Sequence, residues 1–229
     1  MKDVLAAAKI NGLELEIPPF EYGEMTGTPG RYTARTPEYR AKFPRGQAPG
    51  FEKLPASDGS GGFTLAESGA IAHYISASGP KAAQLLGATL EEQGKVQEWI
   101  FWLELGPGRI LPDLIAWRWG TSSDYDARKE EFAAKLLDEH LGYLEDTLRD
   151  GRKWLVAAGG SNGSGPSLAD LTVGSSLLFA CRFYIDRKMR ESLPQITAYL
   201  ARLREVEGLE ELFTVDMVEE RKQPPPTQS

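Results

Sequence analysis

The residues best suited to chemistry lie between positions 47 and 68. Glu67-Ser68 heads an apolar run, Gly69 to Ile75, at helical spacing. A helix starting there presents unpaired backbone N–H groups and the positive end of its dipole, where an anionic carboxylate is held. Taken alone, the pair has two readings: a carboxylate site, or a Ser68 cap beside a solvated Glu67. Upstream, Ala48-Pro49 precedes another apolar stretch. That proline either begins a strand or sits in a tight turn with a cis peptide bond. Gln47 flanks it, with Lys42 and Arg40 nearby as sources of positive charge.

Elsewhere the chain offers less. Its single cysteine, Cys181, follows Leu177-Leu178-Phe179-Ala180, so it reads as a small buried core residue with no intrachain disulfide to form. His73 and His140 have no Cys or His partner at metal-ligand spacing, and no metal is expected. A Gly-rich phosphate loop and a Ser-His-Asp set are both missing from the pattern. Ser167-Leu168-Ala169-Asp170 is a capping-box variant, whose role is structural and whose loss costs about 1 kcal/mol.

The elements that must position these residues follow from periodicity. A short helix spans 2–11 and stops at Gly12. Leu13 to Ile17 alternates strictly and predicts a strand. Residues 20–36 form a loop, and Pro37 opens a helix over 37–43. Strands at 50–54 and 63–65 flank a hairpin connection at 58–62, and a helix covers 67–77. From residue 88 the strands stop. Residues 89–105 and 110–119 read as one long helix interrupted at Gly106-Pro107-Gly108. An amphipathic helix over 125–149 carries Phe132, Leu136, Leu137, Leu141, Leu144 and Leu148. A Gly/Ser loop over 159–165 precedes a helix at 168–185, apolar nearly all round and therefore central. Helices at 192–205 and 207–213 close the fold. This is an α/β domain over 1–79 and an all-helical domain over 88–213, with a disordered tail at 214–229 that is Pro-rich at its end.

Composition bounds the partners. The 229 residues are 41% hydrophobic, enough for a real core. A net charge of −7 argues against a nucleic-acid partner, which would want a basic stripe. No signal peptide opens the chain, and no segment approaches the roughly 18 to 20 apolar residues of a membrane span. The expectation is a cytoplasmic protein.

Residues 41–79, with their Pro-bearing loop, hairpin and acidic-Ser helix start at fixed spacing, resemble the glutathione-binding half of the thioredoxin-like domain in cytosolic glutathione transferases. Ser167 to Asp170 is similar to the capping motif of that family's helical domain. Ile110-Leu111-Pro112 and Trp117 resemble the gamma subunit of translation elongation factor 1 and its fungal transferase cousins. The resemblance covers about residues 2–213. It implies a thioredoxin-like domain followed by an all-α domain, glutathione as co-substrate and a homodimer. In the implied site, the Ala48 backbone on a cis Pro49 pairs with the cysteinyl part of glutathione. Ser68 takes the γ-glutamyl carboxylate, Glu67 the ammonium, and Gln47 lies near the glycyl carboxylate. Trp102 and Trp117 mark the neighbourhood of a small hydrophobic, aromatic or quinone-like electrophile. The family usually carries Val-Pro-Ala where this chain has Ala-Pro-Gly. The implied reaction is conjugation of glutathione, in secondary-metabolite biosynthesis or detoxification, with a non-catalytic scaffold like the gamma subunit as the alternative.

The resemblance departs at the start. A complete transferase begins with a strand and a loop that bears the thiol activator, and this chain opens inside the helix that follows them. No residue here maps to the activator, and the expectation is an upstream start. Without that strand, Leu13–Ile17 lacks its ladder partner.

Overall fold

A computed structural model describes the chain except residues 22–32, 58, 124, 158–164 and 225–229. Its elements are α1 (Lys2–Asn11), α2 (Pro37–Lys42), β1 (Gly50–Lys53), β2 (Phe63–Ala66), α3 (Ser68–Ala77), α4 (Ala82–Leu86), α5 (Leu90–Leu105), α6 (Pro107–Trp119), α7 (Ala127–Leu148), α8 (Leu168–Phe183), α9 (Arg187–Ser192) and α10 (Pro194–Arg204).

In the first unit, β1 and β2 pair antiparallel, with Gly50 opposite Ala66 and Lys53 opposite Phe63. α3 packs against both strands. The Ala6-Ala7-Ala8 run of α1 is buried, and these small side chains let α1 lie closely between α3 and α8. Asn11, at the end of α1, locks that packing. Its amide donates to the Ile75 and Ser76 carbonyls at 2.8 and 3.0 Å and accepts from the Lys81 N–H at 2.8 Å. One buried amide thus satisfies the end of α3 and the start of α4.

In the helical unit α8 is the hub, contacting α1, α3, α4, α5, α6 and α10. Its start is fixed by Asp170, a carboxylate with no exposure. Asp170 accepts from the Ser167 N–H (2.8 Å) and hydroxyl (2.6 Å), the Leu155 N–H (2.7 Å) and the Tyr199 hydroxyl (3.1 Å). The capping box therefore also ties in the 154–156 segment and α10. A second buried acid, Glu145 of α7, accepts from the Gln195 and Ile196 N–H groups and so caps α10, whose own leading residue, Leu193, offers no side-chain cap. The long helix read over 89–119 breaks at Gly106 because His140 fills the space: a Cβ at Gly106 would lie 2.6 Å from that imidazole. Pro107 then starts α6.

Several expectations change. Leu13–Ile17 forms no strand; among the described residues it has no ladder partner, and only Leu13 and Leu15 reach the core. Residues 207–213 form successive turns, not a helix. Phe132 is exposed, because Ala133, Leu137, Leu141, Leu144 and Leu148 make the buried stripe of α7. Residues 214–224, expected to be disordered, run as a strap over α8 and α9: the Val218 N–H donates to the Cys181 carbonyl, and Arg187 and Arg190 bond the Glu219 and Val218 carbonyls. Val215 and Met217 pack on the core, an apolar anchorage that the polar composition around them hides. The end of the expected tail, most of the 159–165 loop, most of the 20–36 loop and Asp58 of the hairpin connection lie outside the described residues. Among the described residues, no helix is long and apolar enough to cross a membrane.

Burial raises the Asp170 carboxyl from 3.8 to about 6, against the opposing pull of its donors. The folded state thus holds this proton more tightly than the unfolded chain. The associated stability is fully present below pH ~4 and is lost as pH rises through ~6, a change of about 3 kcal/mol. The stability advantage of the parent over Asp170→Asn is expected to shrink between pH 4 and 7 in urea unfolding. Asp170→Ala, which strands buried donors, is expected to cost about 3 kcal/mol or more at any pH.

Candidate functional site

Ala48-Pro49 is a cis peptide bond. The loop that carries it is held from beneath: the Tyr39 hydroxyl donates to the Gln47 carbonyl at 2.8 Å. Phe43 lies so close under Gly50 that a Cβ there would come within 2.7 Å of its ring. Glycine after the proline is therefore demanded by Phe43, and it marks a tightly packed turn. Ala48 is exposed, and among the described residues nothing pairs with its N–H or C=O.

β1 pairs with β2, and β2 delivers the chain to Glu67. This residue has φ 70° and is the sole non-glycine with positive φ among the described residues. For a side chain of this kind such a backbone costs about 1–3 kcal/mol and persists only where the surroundings enforce it. The contorted step turns the strand into α3, with the Glu67 carbonyl accepting the first helical bond from Ile71 at 3.0 Å. No described residue bonds the Ser68 hydroxyl or the Ser68 and Gly69 N–H groups. An anion arriving there meets unused donors and the helix dipole.

Glu67 is also paired: its carboxylate accepts from the Arg45 guanidinium across the loop, and both side chains are largely exposed. A ligand ammonium would share this carboxylate with Arg45. Lys42 is similarly engaged, with Glu52 at 2.6 Å. Gln47, Ala48 and Pro49 thus lie on one loop and Glu67 and Ser68 on the helix start that Arg45 joins to it.

Ser68 lies on the rim of a cleft of about 400 Å³ between the two units. Leu103 of α5, Phe179 and Arg182 of α8, Lys2 of α1 and Val215 of the strap complete much of its wall. Trp102 and Trp117 do not face it. Trp102 lines a separate cavity of about 260 Å³ with Glu98, Trp99 and Tyr143. Trp117 is buried beside its own network: its indole N–H donates to Glu130 at 3.0 Å, and Glu130 accepts from Arg118 at 2.6 Å. Helical spacing places an aromatic on a face but does not say which cavity that face meets. The α8 residues were missed although their hydroxyls, Thr172, Ser175 and Ser176, interrupt an otherwise apolar helix, a readable signal.

Cys181 is buried, and burial pushes its thiol up to about 12, so it stays protonated and unreactive. Among the described residues, no three His, Cys, Asp or Glu side chains gather as a metal site requires.

Comparison with known proteins adds an independent line. No family model matches the chain. The chain is 40% identical over 213 residues to a glutathione S-transferase-like protein from a Fusarium species, covering 92% of this chain and 86% of the relative. It is 30% identical over 201 residues to elongation factor 1-gamma-A of Xenopus laevis, covering 85% of this chain but 39% of that protein. Its fold matches the glutathione transferase URE2P6 of Phanerochaete chrysosporium, solved with oxidized glutathione, with a TM-score of 0.73 and 19% identity over 93% of this chain and 89% of that one.

Glu67→Gly removes the steric cost of the positive φ and, after the entropy that glycine loses on folding, is expected to stabilise the fold by about 1 kcal/mol. Thermal unfolding of the variant checks this. A lowered melting temperature would show that the Arg45 pairing outweighs the backbone cost.

Proposed function

Because the chain belongs to the glutathione S-transferase-like superfamily, to which the 40% identity over 92% of its length assigns it, we propose that it binds glutathione in the groove between Ala48 and Ser68 and conjugates it to a small hydrophobic electrophile. The observation that carries this reading is the pairing of two sets of unused backbone groups, one on the Ala48 loop and one at the start of α3, which the Gly50–Ala66 strand register and the Arg45–Glu67 contact join and of which the second borders the interdomain cleft at Ser68.

The Ala48 N–H and C=O pair with the cysteinyl backbone as a short added strand. Ser68 and the first N–H groups of α3 take the γ-glutamyl carboxylate, the ammonium shares the Glu67 carboxylate with Arg45, and Gln47 lies at the glycyl end. The sulfur then points into the cleft, where Leu103, Phe179 and Val215 supply apolar contact for an aromatic or quinone-like partner. The thiol proton passes to solvent and the sulfur forms a C–S bond at the electrophilic carbon; an aromatic halide loses its halide ion in the same exchange, whereas in a quinone-like partner the C=C pair shifts to the carbonyl oxygen, which takes a proton from solvent. Positioning is this chain's contribution, since two reactants held in register react as one. A cytoplasmic homodimer serving secondary-metabolite biosynthesis or detoxification is the setting in which we place this activity.

The similarity to elongation factor 1-gamma favours one second reading: a binding or scaffold domain that keeps the groove without turnover.

Titration calorimetry with glutathione is the test. Ser68→Ala is expected to weaken binding about tenfold, the loss of one hydrogen bond to a charged group. Binding unchanged by the substitution would overturn the site. Glutathione bound without conjugation of 1-chloro-2,4-dinitrobenzene would favour the scaffold reading.

A further inference from the structure

The cleft beside Ser68 has one wall that an apolar substrate does not need. α8 is buried and apolar over most of its surface, yet Thr172, Ser175 and Ser176 stand at one-turn spacing on the face that lines the cleft. The Ser175 hydroxyl oxygen is buried and has no hydrogen-bond partner among the described residues. A buried hydroxyl without a partner is costly, and its vacant capacity lies at a wall where a ligand enters. Next along the same face come Phe179, 38% exposed, and Arg182.

Arg182 is exposed and, among the described residues, makes no ion pair; its guanidinium lies over the face of Phe183 at 5.6 Å. A second cation, Lys2, lines the same wall and donates to the Leu212 carbonyl at 2.5 Å. Burial, and then the Arg182 charge, lower the Lys2 pKa, so the two cations sense one another. Glu104 also lines the cleft and has no ion-pair partner among the described residues. It is carried by α5, on a different element from the cations; a second acid at the wall, Asp3 of α1, is paired with the Met1 ammonium at 2.9 Å. An unpaired guanidinium is a planar fork matched to a carboxylate or phenolate, a serine hydroxyl can donate to a ligand oxygen, and an exposed phenyl face receives an aromatic ring.

We propose that the second ligand of this cleft is an aromatic compound bearing an anionic oxygen, carboxylate or phenolate, held by Arg182, with its ring against Phe179 and a second oxygen on the Ser175 hydroxyl. This rests on the reading of the cleft as the co-substrate site and narrows the substrate from any hydrophobic electrophile to an oxygenated aromatic acid.

The test uses an unreactive pair, 4-nitrobenzoate and its methyl ester, in equilibrium dialysis against the full chain without glutathione. The acid is expected to bind about tenfold more tightly than the ester, as a hydrogen-bonded charge pair allows. Arg182→Met should abolish that preference while leaving the ester's affinity and the melting temperature unchanged, and Ser175→Ala should weaken the acid about threefold. Equal binding of acid and ester by the parent, or a preference that survives Arg182→Met, overturns the proposal. Glutathione binding measured on the same samples separates the two readings. Acid held through Arg182 with no glutathione bound sustains the anion site and removes the transferase reading. Glutathione bound with no acid preference does the reverse.

Discussion

A carboxylate shut off from water, Asp170, holds three separate stretches of chain in one place. Its two oxygens gather donors from the cap residue Ser167, from Leu155 and from Tyr199 on α10. Tyr199 is itself fully buried, and burial, then the nearby Asp170 charge, keep its hydroxyl protonated far above the usual range. α8 starts from this node, and every residue that α8 lends to the cleft inherits its position from it. The helix that walls the site is thus registered by a polar contact at one end and by apolar packing along its length. Such networks specify geometry when each member is satisfied.

The half that carries the proposed groove follows another logic. Its rigidity comes from close contact at the backbone: Phe43 beneath Gly50, Tyr39 on the Gln47 carbonyl, and the enforced positive φ of Glu67. None of these side chains belongs to the groups proposed to touch ligand except Glu67. The binding groups are largely main-chain N–H and C=O, so the surrounding side chains act by fixing where that backbone runs. Arg45 joins the loop to the helix start through an exposed pair, which contributes little to stability by itself but holds the carboxylate over the groove.

What could be read from the residues was what is local. The Ala48-Pro49 turn, the Glu67-Ser68 helix start, the Ser167–Asp170 cap and the buried state of Cys181 each depend on a few neighbouring positions, and each element appears where the pattern places it. Leu13–Ile17 alternates as a strand should, but a strand exists only with a partner, and alternation does not contain the partner. Trp102 and Trp117 sit on helices at the expected positions. What each of them meets is decided by how α5, α6 and α7 are rotated against each other, and for Trp117 by the Glu130 and Arg118 contacts beside it. The short helices α4 and α9 escaped because five or six residues carry too little periodicity to stand out.

The strap over 214–224 has a consequence for how such a protein diversifies. It is tied down by its backbone, through Val218 and Glu219, and by Arg118 donating to the Lys222 carbonyl at 3.0 Å. Side chains add to these main-chain contacts: Val215 and Met217 pack on the core, and Arg221 pairs with Asp186. Val215, on the same strap, lines the cleft. A change of apolar side chain at Val215 therefore reshapes that wall at the cost of some packing, while the main-chain bonds at Val218, Glu219 and Lys222 keep the rest of the strap in place: selectivity can drift here without a helix having to move.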